Sequence, residues 1–335
     1  SVANVYVSNC LFRSITSTSD GGALFLSTSV SYLVVESSSF FTCKSSGRGG
    51  AICFDNSNSG QLIYHKVCGY DCCTTNWNSH FSRVDVYNSA SSKNYVNYSS
   101  VARCVNLNYN PSYIFAHCYG KICFPSTNIS MNHGGDRFVY CNPLKDSNSF
   151  ICSLSYSTFT DNNATRYTCI ALVSGGAKYE IKSCNIIRNT QGTLGSEGTI
   201  CTQGNTFIDD SCILENNANY IFYVSSSSYT ITLTNCTVDK TTRSGNVIIQ
   251  NTVIKSFILA LNHLSTRNCY SEYDAAGTLT PVIQSPTSTN KQIQCFTYGK
   301  CFYQPHLGDF VSLMWVFIFN FIYSGPSGDP WYYNA

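Results

Sequence analysis

The sequence repeats at intervals of about 27 residues, and no other feature constrains the fold as strongly. Phe159, Ile186 and Ile213 follow one another at intervals of 27, and an asparagine stands three positions after each of them. These asparagines are Asn162, Asn189 and Asn216. Repeats of this length are typical of stacked supersecondary units, in which each unit buries its apolar side chains against the next.

A second repeat lies near the N-terminus and contains paired glycines. Gly21 and Gly22 precede Ala-Leu, and 28 residues later Gly49 and Gly50 precede Ala-Ile. Because glycine has no Cβ, such a pair predicts a tight backbone bend at which a larger residue would clash. Together the two repeats indicate one recurring unit over residues 1–275.

The repeating unit consists of strands rather than helices. Short runs of alternating apolar and polar residues occur at 32–35, 220–224 and 229–235, and such runs predict half-buried strands. The 24 Tyr and 20 Phe, against 2 Met, also favour strands. A unit of this length holds two or three short strands with corners between them. The sequence therefore predicts an all-β fold, a right-handed parallel β-helix of the pectin-lyase type.

The repeated residues have structural roles in such a fold. Alternate apolar side chains would point into a narrow interior and stack from coil to coil. Asparagines at one fixed position would form a ladder of side-chain hydrogen bonds along the axis. Inward cysteines would fill the same interior as small hydrophobic side chains. The cysteines expected in this role are Cys184, Cys212 and Cys236.

The Gly-Gly-Ala-Leu and Gly-Gly-Ala-Ile copies, together with Phe159-x-x-Asn162, carry a resemblance to a known family. They resemble the GGA[ILV] and FxxN repeats of the polymorphic membrane proteins of chlamydiae and of related surface proteins in parasitic protists such as trichomonads. The resemblance implies a β-helical adhesin or antigen at the cell surface.

The rest of the chain departs from the clear repeat in three places. Residues 75–150 are interpreted as coils with irregular side loops, because prolines and tyrosines blur the pattern there. Residues 276–308 are interpreted as a linker and a cysteine-containing tail, and 309–335 as a hydrophobic C-terminal segment. The most apolar stretch, 310–323, is shorter than the roughly 20 residues of a spanning helix. It predicts either a cap on the solenoid or a truncated membrane anchor.

Nineteen cysteines without a pair of CxxC motifs favour an oxidising, secretory environment with disulfides over a zinc site. Four Asn-x-Ser/Thr sequons agree with that environment and are candidate glycosylation sites. They are Asn97, Asn128, Asn163 and Asn235. An extracellular or cell-surface location is therefore expected, with membrane attachment through 310–323 as an option.

Charge and motifs narrow the range of functions. Charged residues make up 11% of the chain and the formal net charge is +2, which gives no basic surface for nucleic acid. The sequence contains no phosphate-binding loop and no metalloprotease motif. Neither a cofactor nor a metal ion is expected.

Many β-helices cleave polysaccharides, so an enzyme is the alternative that must be weighed. Such chemistry needs clustered carboxylates on the outer surface. Asp209 and Asp210 form the one adjacent acidic pair considered, and Asp239 follows about one repeat later. These three residues are the catalytic candidates if the protein is a lyase or hydrolase. The motifs that accompany such a pair in polygalacturonases are missing, so no enzyme activity is expected.

The favoured interpretation is a non-enzymatic surface protein whose loops bind an unidentified protein or glycan. Tyrosines suit recognition because they combine apolar area with a polar tip. The candidates are Tyr95, Tyr98, Tyr109 and Tyr113. A purely structural coat protein without a specific ligand is a third interpretation.

Overall fold

The computed structural model describes residues 3–75, 79–104, 113–165, 169–192 and 197–254. Within these ranges the chain is all-β, and every strand pairing is parallel. Successive coils stack into a right-handed β-solenoid. The predicted fold class is confirmed.

Each coil contributes one strand to each of three long sheets, so strands that are neighbours in space come from successive coils. The first sheet consists of β1 (Ala3–Ser8), β5 (Val30–Glu36), β9 (Gln61–His65), β13 (Lys93–Asn97), β16 (Lys121–Pro125), β20 (Phe150–Ser155), β24 (Lys178–Lys182), β28 (Asn205–Asp209), β31 (Thr230–Thr234) and β34 (Asn246–Gln250). The second sheet consists of β2 (Leu11–Arg13), β6 (Ser39–Phe41), β10 (Cys68–Tyr70), β14 (Ser100–Ala102), β17 (Asn128–Ser130), β21 (Thr158–Thr160), β25 (Asn185–Ile187), β29 (Cys212–Leu214), β32 (Thr237–Val238) and β35 (Val253–Ile254).

The third sheet consists of β4 (Leu24–Leu26), β8 (Ile52–Asp55), β12 (Ser82–Asp85), β15 (Phe115–Cys118), β19 (Val139–Asn142), β23 (Ile170–Leu172), β27 (Ile200–Thr202), β30 (Phe222–Val224) and β33 (Arg243–Ser244). Two short sheets lie between the second and the third. They consist of β3 (Thr16–Ser17), β7 (Lys44–Ser45) and β11 (Cys73–Thr74), and of β18 (His133–Gly134), β22 (Asn163–Ala164) and β26 (Thr190–Gln191).

Inward side chains stack from coil to coil because the register is kept. Phe12 pairs with Phe40, and their rings stack with centroids 4.7 Å apart and an interplanar angle of 7°. The next coil has Gly69 at this position, and a Cβ there would lie 2.3 Å from the ring of Phe81. Phe81 thus fills the space that a side chain at Gly69 would need, and the core stays continuous.

The corner between the first and second sheets holds a non-glycine residue at positive φ in every coil. These residues are Asn9, Ser37, Lys66, Tyr98, Ser126, Tyr156, Ser183, Asp210, Asn235 and Asn251. A second corner, at the end of the second sheet, repeats the same conformation. Its residues are Ser14, Thr42, Asp71, Arg103, Met131, Asp161, Arg188 and Glu215. L-residues adopt this left-handed region at a cost of roughly 1–2 kcal/mol, so the coil geometry imposes it irrespective of side chain.

The residue after each second corner points inward, and here the asparagines form the expected ladder. Asn162 Nδ2 donates to Asn189 Oδ1 at 2.9 Å, and Asn189 Nδ2 donates to Asn216 Oδ1 at 3.0 Å. Asn132 extends the ladder by one coil, since its Nδ2 donates to Asn162 Oδ1 at 3.0 Å. All four are buried. In the first coil the same column is occupied by Ile15, which packs against the core, and in the next three coils by the thiols of Cys43, Cys72 and Cys104.

Most described cysteines are interior side chains rather than crosslinks. Fifteen of them are reduced thiols, and all of these except Cys73 and Cys123 are buried. At the first corner Cys184 Sγ donates to the carbonyl oxygen of Leu154 at 3.4 Å, and Cys236 Sγ to that of Ile208 at 3.5 Å. The disulfides expected from the sequence are not found among these fifteen, because the thiols take the place of small core residues.

Paired glycines form the tight turn that leads into the third sheet. Gly21 and Gly49 have φ of 66° and 67°. A Cβ on Gly22 would lie 2.0 Å from the carbonyl oxygen of Gly50. The backbone of neighbouring coils therefore approaches too closely for any larger residue at this turn.

The described parts of 75–150, from β12 to β20, pair in register with their neighbours. The segments 76–78 and 105–112 within this region lie outside the described residues. So do 255–275, the tail 276–308 and the hydrophobic segment 309–335 with its apolar stretch 310–323. Among the residues that the structure describes, none belongs to a helix that could cross a membrane.

Candidate functional site

The three aspartates considered for catalysis lie at two different corners of the coil. Asp209 ends β28 and Asp210 follows it at the first corner, whereas Asp239 follows β32 at the far end of the second sheet. Asp210 Oδ2 accepts a hydrogen bond from Ser183 Oγ at 2.8 Å, and Asp239 Oδ2 accepts one from the backbone N–H of Glu215 at 2.7 Å. Asp210 and Asp239 thus lie at opposite ends of the second-sheet strands.

One of the repeated cysteines does not lie where the sequence placed it. Cys184 and Cys236 share the inward column at the first corner. Cys212 is the first residue of β29, and its neighbour Ile213 pairs with the core residue Ile186. Because side chains alternate along a strand, Cys212 points away from the core. Its inward assignment was wrong.

The four sequons differ in accessibility. Asn163 and Asn235 are exposed, whereas Asn97 and Asn128 are half-buried. Asn128 Nδ2 also donates to Ser100 Oγ at 3.0 Å and to Ser130 Oγ at 3.2 Å. The finished fold thus has most room for a glycan at Asn163 and Asn235.

The tyrosines singled out for recognition are spread over the surface. Tyr95 is half-buried on the outer face of the first sheet, and Tyr98 is exposed at the first corner. Tyr113 is half-buried just before β15. Tyr109 lies outside the described residues. Of these, only Tyr113 belongs to the strongest cluster of polar groups, which lies on the third sheet.

That cluster begins with Arg48, in the turn before the third sheet. Arg48 Nη2 lies 2.8 Å from Asp20 Oδ2 of the preceding coil and 2.8 Å from Asp55 Oδ2 on β8. The backbone N–H of Arg48 also donates to Asp20 Oδ1 at 2.6 Å. One guanidinium therefore joins two coils.

Two further arginines continue the cluster along the solenoid. Arg83 on β12 forms a bidentate pair with Asp85, with Nε and Nη2 each 2.8 Å from a carboxylate oxygen. Arg137, just before β19, lies 3.3 Å from Asp136 and 3.1 Å from Glu197. We call these residues the charged row: Arg48, Arg83, Arg137, Asp20, Asp55, Asp85, Asp136 and Glu197.

Two aromatic rings lie between the second and third arginines of the charged row. The rings of Tyr113 and Tyr140 are 4.8 Å apart with an interplanar angle of 39°. Both tyrosines are partly exposed. Burial raises the pKa of Tyr140 to about 12, so its hydroxyl stays protonated and can donate a hydrogen bond at neutral pH.

The groups around the charged row keep ordinary protonation states. Burial opposes the charge on Arg137, but Asp136 and Glu197 outweigh it and raise the pKa of the guanidinium. Burial raises the pKa of Cys53 and of Cys118, which flank Arg83, to about 12 each. Both are therefore thiols rather than nucleophilic thiolates at neutral pH.

The charged groups of this face are paired with one another. Its five carboxylates each contact an arginine, so none is placed as a separate general acid or base. Elsewhere in the described ranges, no three His, Cys, Asp or Glu side chains are placed to hold a metal ion. Fixed guanidinium and carboxylate groups beside tyrosine rings offer directional hydrogen bonds together with apolar contact.

Sequence reasoning missed the charged row because some members lie on strands of the third sheet and others in the turns before it, so no fixed spacing along the chain connects them. A weaker signal is present: Asp55 and Asp85 end successive strands at paired positions, in Cys-Phe-Asp and Arg-Val-Asp. Aligning the strands of the third sheet by these endings would have brought Arg83 and Asp85 onto one face.

Comparison of the chain with known protein families, with curated proteins and with solved structures found no match.

Proposed function

We propose that this protein is a non-enzymatic, extracellular or cell-surface β-helix protein that binds a protein or glycan through the outer face of its third sheet. The observation that carries the proposal is the charged row with its two tyrosine rings. It runs from the first to the seventh strand of the third sheet, a length of roughly 30 Å at about 4.8 Å per strand.

The concentration of charge on this face supports binding. In a chain with 20 Lys and Arg and 18 Asp and Glu in 335 residues, eight of these side chains stand in one row. Side chains of Arg83 and Arg137 are 22% and 17% exposed, so they are held in place yet reachable. Held, partly exposed arginines and tyrosines are the groups that most often anchor binding partners.

The finer identification, an adhesin or antigen similar to polymorphic membrane proteins, rests on the glycine and Phe-x-x-Asn repeats alone. The solenoid is compatible with it, and so are the exposed sequons. A secreted or surface location belongs to the same proposal, as does attachment to a membrane through 310–323.

The experiment is a binding assay with the full chain on arrayed glycans and on host-cell surface proteins. Tyr140→Ala and Tyr113→Ala should each weaken binding at least tenfold, which corresponds to about 1.4 kcal/mol. Tyr32→Ala is the matched control, since Tyr32 is exposed on the outer face of the first sheet. Loss of binding in the control, or full binding by both row variants with unchanged melting temperatures, would contradict the proposal.

A polysaccharide lyase or hydrolase on the same fold is the alternative. Incubation with pectin, alginate and chondroitin distinguishes the two, because an enzyme releases unsaturated or reducing ends. Any such activity that Asp209→Asn, Asp210→Asn or Asp239→Asn abolishes would replace the binding proposal with the enzymatic one.

A further inference from the structure

Aromatic side chains stand at both ends of the third-sheet face as well as at its centre. Phe25 points outward from β4, between the inward residues Leu24 and Leu26, and is 51% exposed. At the other end, Tyr223 is partly exposed on the outer face of β30, and its ring lies 6.1 Å from that of Tyr220. Together with the central tyrosine pair, these rings divide the face into aromatic parts with charged pairs between them.

The outward residues of the third sheet form one column, because the strands keep their register. Phe25 pairs with Cys53, and Cys53 pairs with Arg83. Arg83 pairs with Ala116, and Ala116 pairs with Tyr140. Large flat groups therefore alternate with small side chains over these coils, and the flat groups recur at about 9.6 Å, two spacings of about 4.8 Å.

The length of this column limits the shape of a ligand that contacts all of it. From Phe25 to Tyr223 there are seven strand spacings, about 34 Å at about 4.8 Å each. Such a ligand must be extended along the solenoid axis. One sugar unit of an extended β-linked glycan is nearly as long as one strand spacing, so about seven units would span the face.

The backbone of this face has no part in recognition. The six strands between β4 and β30 each pair with a neighbour on both sides, so their N–H and C=O groups are directed at other strands. An extended peptide therefore cannot bind here by adding a strand to the sheet. Recognition depends on the side chains.

The side chains of the charged row match a ligand that is neutral and rich in hydroxyl groups. The row contains five carboxylates and three guanidinium groups, and this excess of negative charge repels a polyanion. Guanidinium groups only donate hydrogen bonds and carboxylates only accept them, whereas a hydroxyl does both. The C–H faces of sugar rings can pack on the aromatic rings between these charges.

We propose that the ligand of the third-sheet face is a neutral, linear, β-linked glycan that lies along the solenoid axis from Phe25 to Tyr223. The inference rests on the function proposed above and names the class of ligand for the same face. Tyr113 and Tyr140 contact the central sugar units, and Phe25 and Tyr223 contact the outer ones. The arginines and carboxylates between them bond the hydroxyl groups.

The first test measures the affinity of the full chain for oligosaccharides of cellulose, chitin, xylan and β-mannan, each from trimer to octamer. For the series that binds, the affinity should rise with length up to about seven units. Phe25→Ala and Tyr223→Ala should each weaken octamer binding at least fivefold and leave trimer binding unchanged, whereas Tyr140→Ala should weaken both. Phe207→Ala is the matched control, because Phe207 is 39% exposed on the outer face of the first sheet, and it should change neither. Absence of binding in all four series, or an affinity that does not rise beyond the trimer, overturns the inference.

The second test compares the neutral octamer with oligogalacturonate and heparin fragments of the same length. The acidic fragments should bind at least tenfold more weakly, and sodium chloride should change the affinity for the neutral octamer less than twofold. Tighter binding of an acidic fragment overturns the inference.

The two tests also separate this inference from the proposal on which it rests. Binding of a host-cell protein that Tyr140→Ala weakens, without binding of any neutral glycan, would leave the binding function in place and overturn the choice of a glycan. If Tyr140→Ala weakened the binding of neither a glycan nor a protein, both proposals would be wrong.

Discussion

One column of the solenoid is built in two chemically different ways. After the second corner, the coils that carry Cys43, Cys72 and Cys104 place thiols inward, and the next four coils place asparagines there. The asparagine amides bond one another and the backbone, as when Asn189 Nδ2 donates to the carbonyl oxygen of Phe159 at 2.8 Å. The thiols make longer contacts, such as Cys72 Sγ to the carbonyl oxygen of Phe40 at 3.4 Å.

The difference teaches that the corner geometry accepts inward side chains of different chemistry, including the apolar Ile15 of the first coil. Amides stabilise through a connected set of hydrogen bonds, so losing one member leaves partners unsatisfied in the interior. Thiols act as small hydrophobic groups. Burial and the neighbouring thiol of Cys72 raise the pKa of Cys104 well above its usual range, so it carries no charge at neutral pH. The two halves should therefore respond differently to substitution.

The largest effect is expected from breaking the middle of the ladder. Asn162→Ala removes the acceptor of both the backbone N–H and the Nδ2 of Asn132, at 3.1 and 3.0 Å, and the donor to the carbonyl oxygen of Ile129. The free energy of unfolding in urea should fall by about 4 kcal/mol. Asn216→Ala at the end of the ladder should cost less. Equal losses of unfolding free energy in Asn162→Ala and Asn216→Ala would show that each amide stabilises the fold independently of its neighbours.

A fall in pH is expected to have the next largest effect, through groups that belong to neither half of the column. Burial lowers the pKa of His117 to about 3 and that of His80 to about 4, against about 6.5 in the unfolded chain. The unfolded chain thus binds more protons below pH 6.5, so stability falls as the pH drops through 6.5. Each histidine should cost about 2 kcal/mol at pH 5.

Urea unfolding between pH 7 and pH 5 measures this loss. His117→Gln should remove about half of the pH dependence, because the amide does not titrate. If His117→Gln kept the full dependence of unfolding free energy on pH, the titrating group would be a residue other than His117.

Substitution within the thiol half should cost less than substitution in the ladder. Cys72→Ala removes one buried sulfur atom and leaves a small cavity, with an expected loss of about 1.5 kcal/mol in the same urea assay. If Cys72→Ala lost as much unfolding free energy as Asn162→Ala, the thiols would interact with one another as strongly as the amides do.

The smallest effect is expected from moving the boundary between the two halves. Cys104→Asn should change stability by less than about 1 kcal/mol, because Asn132 Oδ1 already accepts from the backbone N–H of Cys104 at 2.9 Å and can accept from a new amide. Cys43→Asn, with a thiol as its next neighbour, serves as the comparison and should cost more. A lower melting temperature for Cys104→Asn than for Cys43→Asn would contradict a ladder that extends one coil at a time.

The sequence predicted the amide half of the column and not the thiol half for a physical reason. Asn162, Asn189 and Asn216 recur at a constant interval because the turns between them have equal length. Cys43, Cys72 and Cys104 are separated by 29 and 32 residues, since longer turns intervene although the corners align. Stacking conserves the position in the coil, not the distance along the chain.

The misplacement of Cys212 has an equally simple cause. Cys184 stands two positions before Ile186, whereas Cys212 stands one position before Ile213. In a strand, a shift by one residue turns a side chain to the opposite face. The charged row was missed because its arginines come from different parts of their coils, so only the folded chain brings them together.

At the left-handed corners the side chain varies while the backbone conformation stays the same. Eighteen non-glycine residues, as different as Tyr98, Arg103 and Met131, adopt nearly one backbone conformation there, and all but Ser183 are at least partly exposed. Every coil has the same free-energy cost for the left-handed conformation. Exchanging one such side chain for another therefore changes the surface that a partner molecule contacts, but not the path of the backbone. A lineage under pressure to vary its outward appearance could rewrite these positions while its framework stays the same.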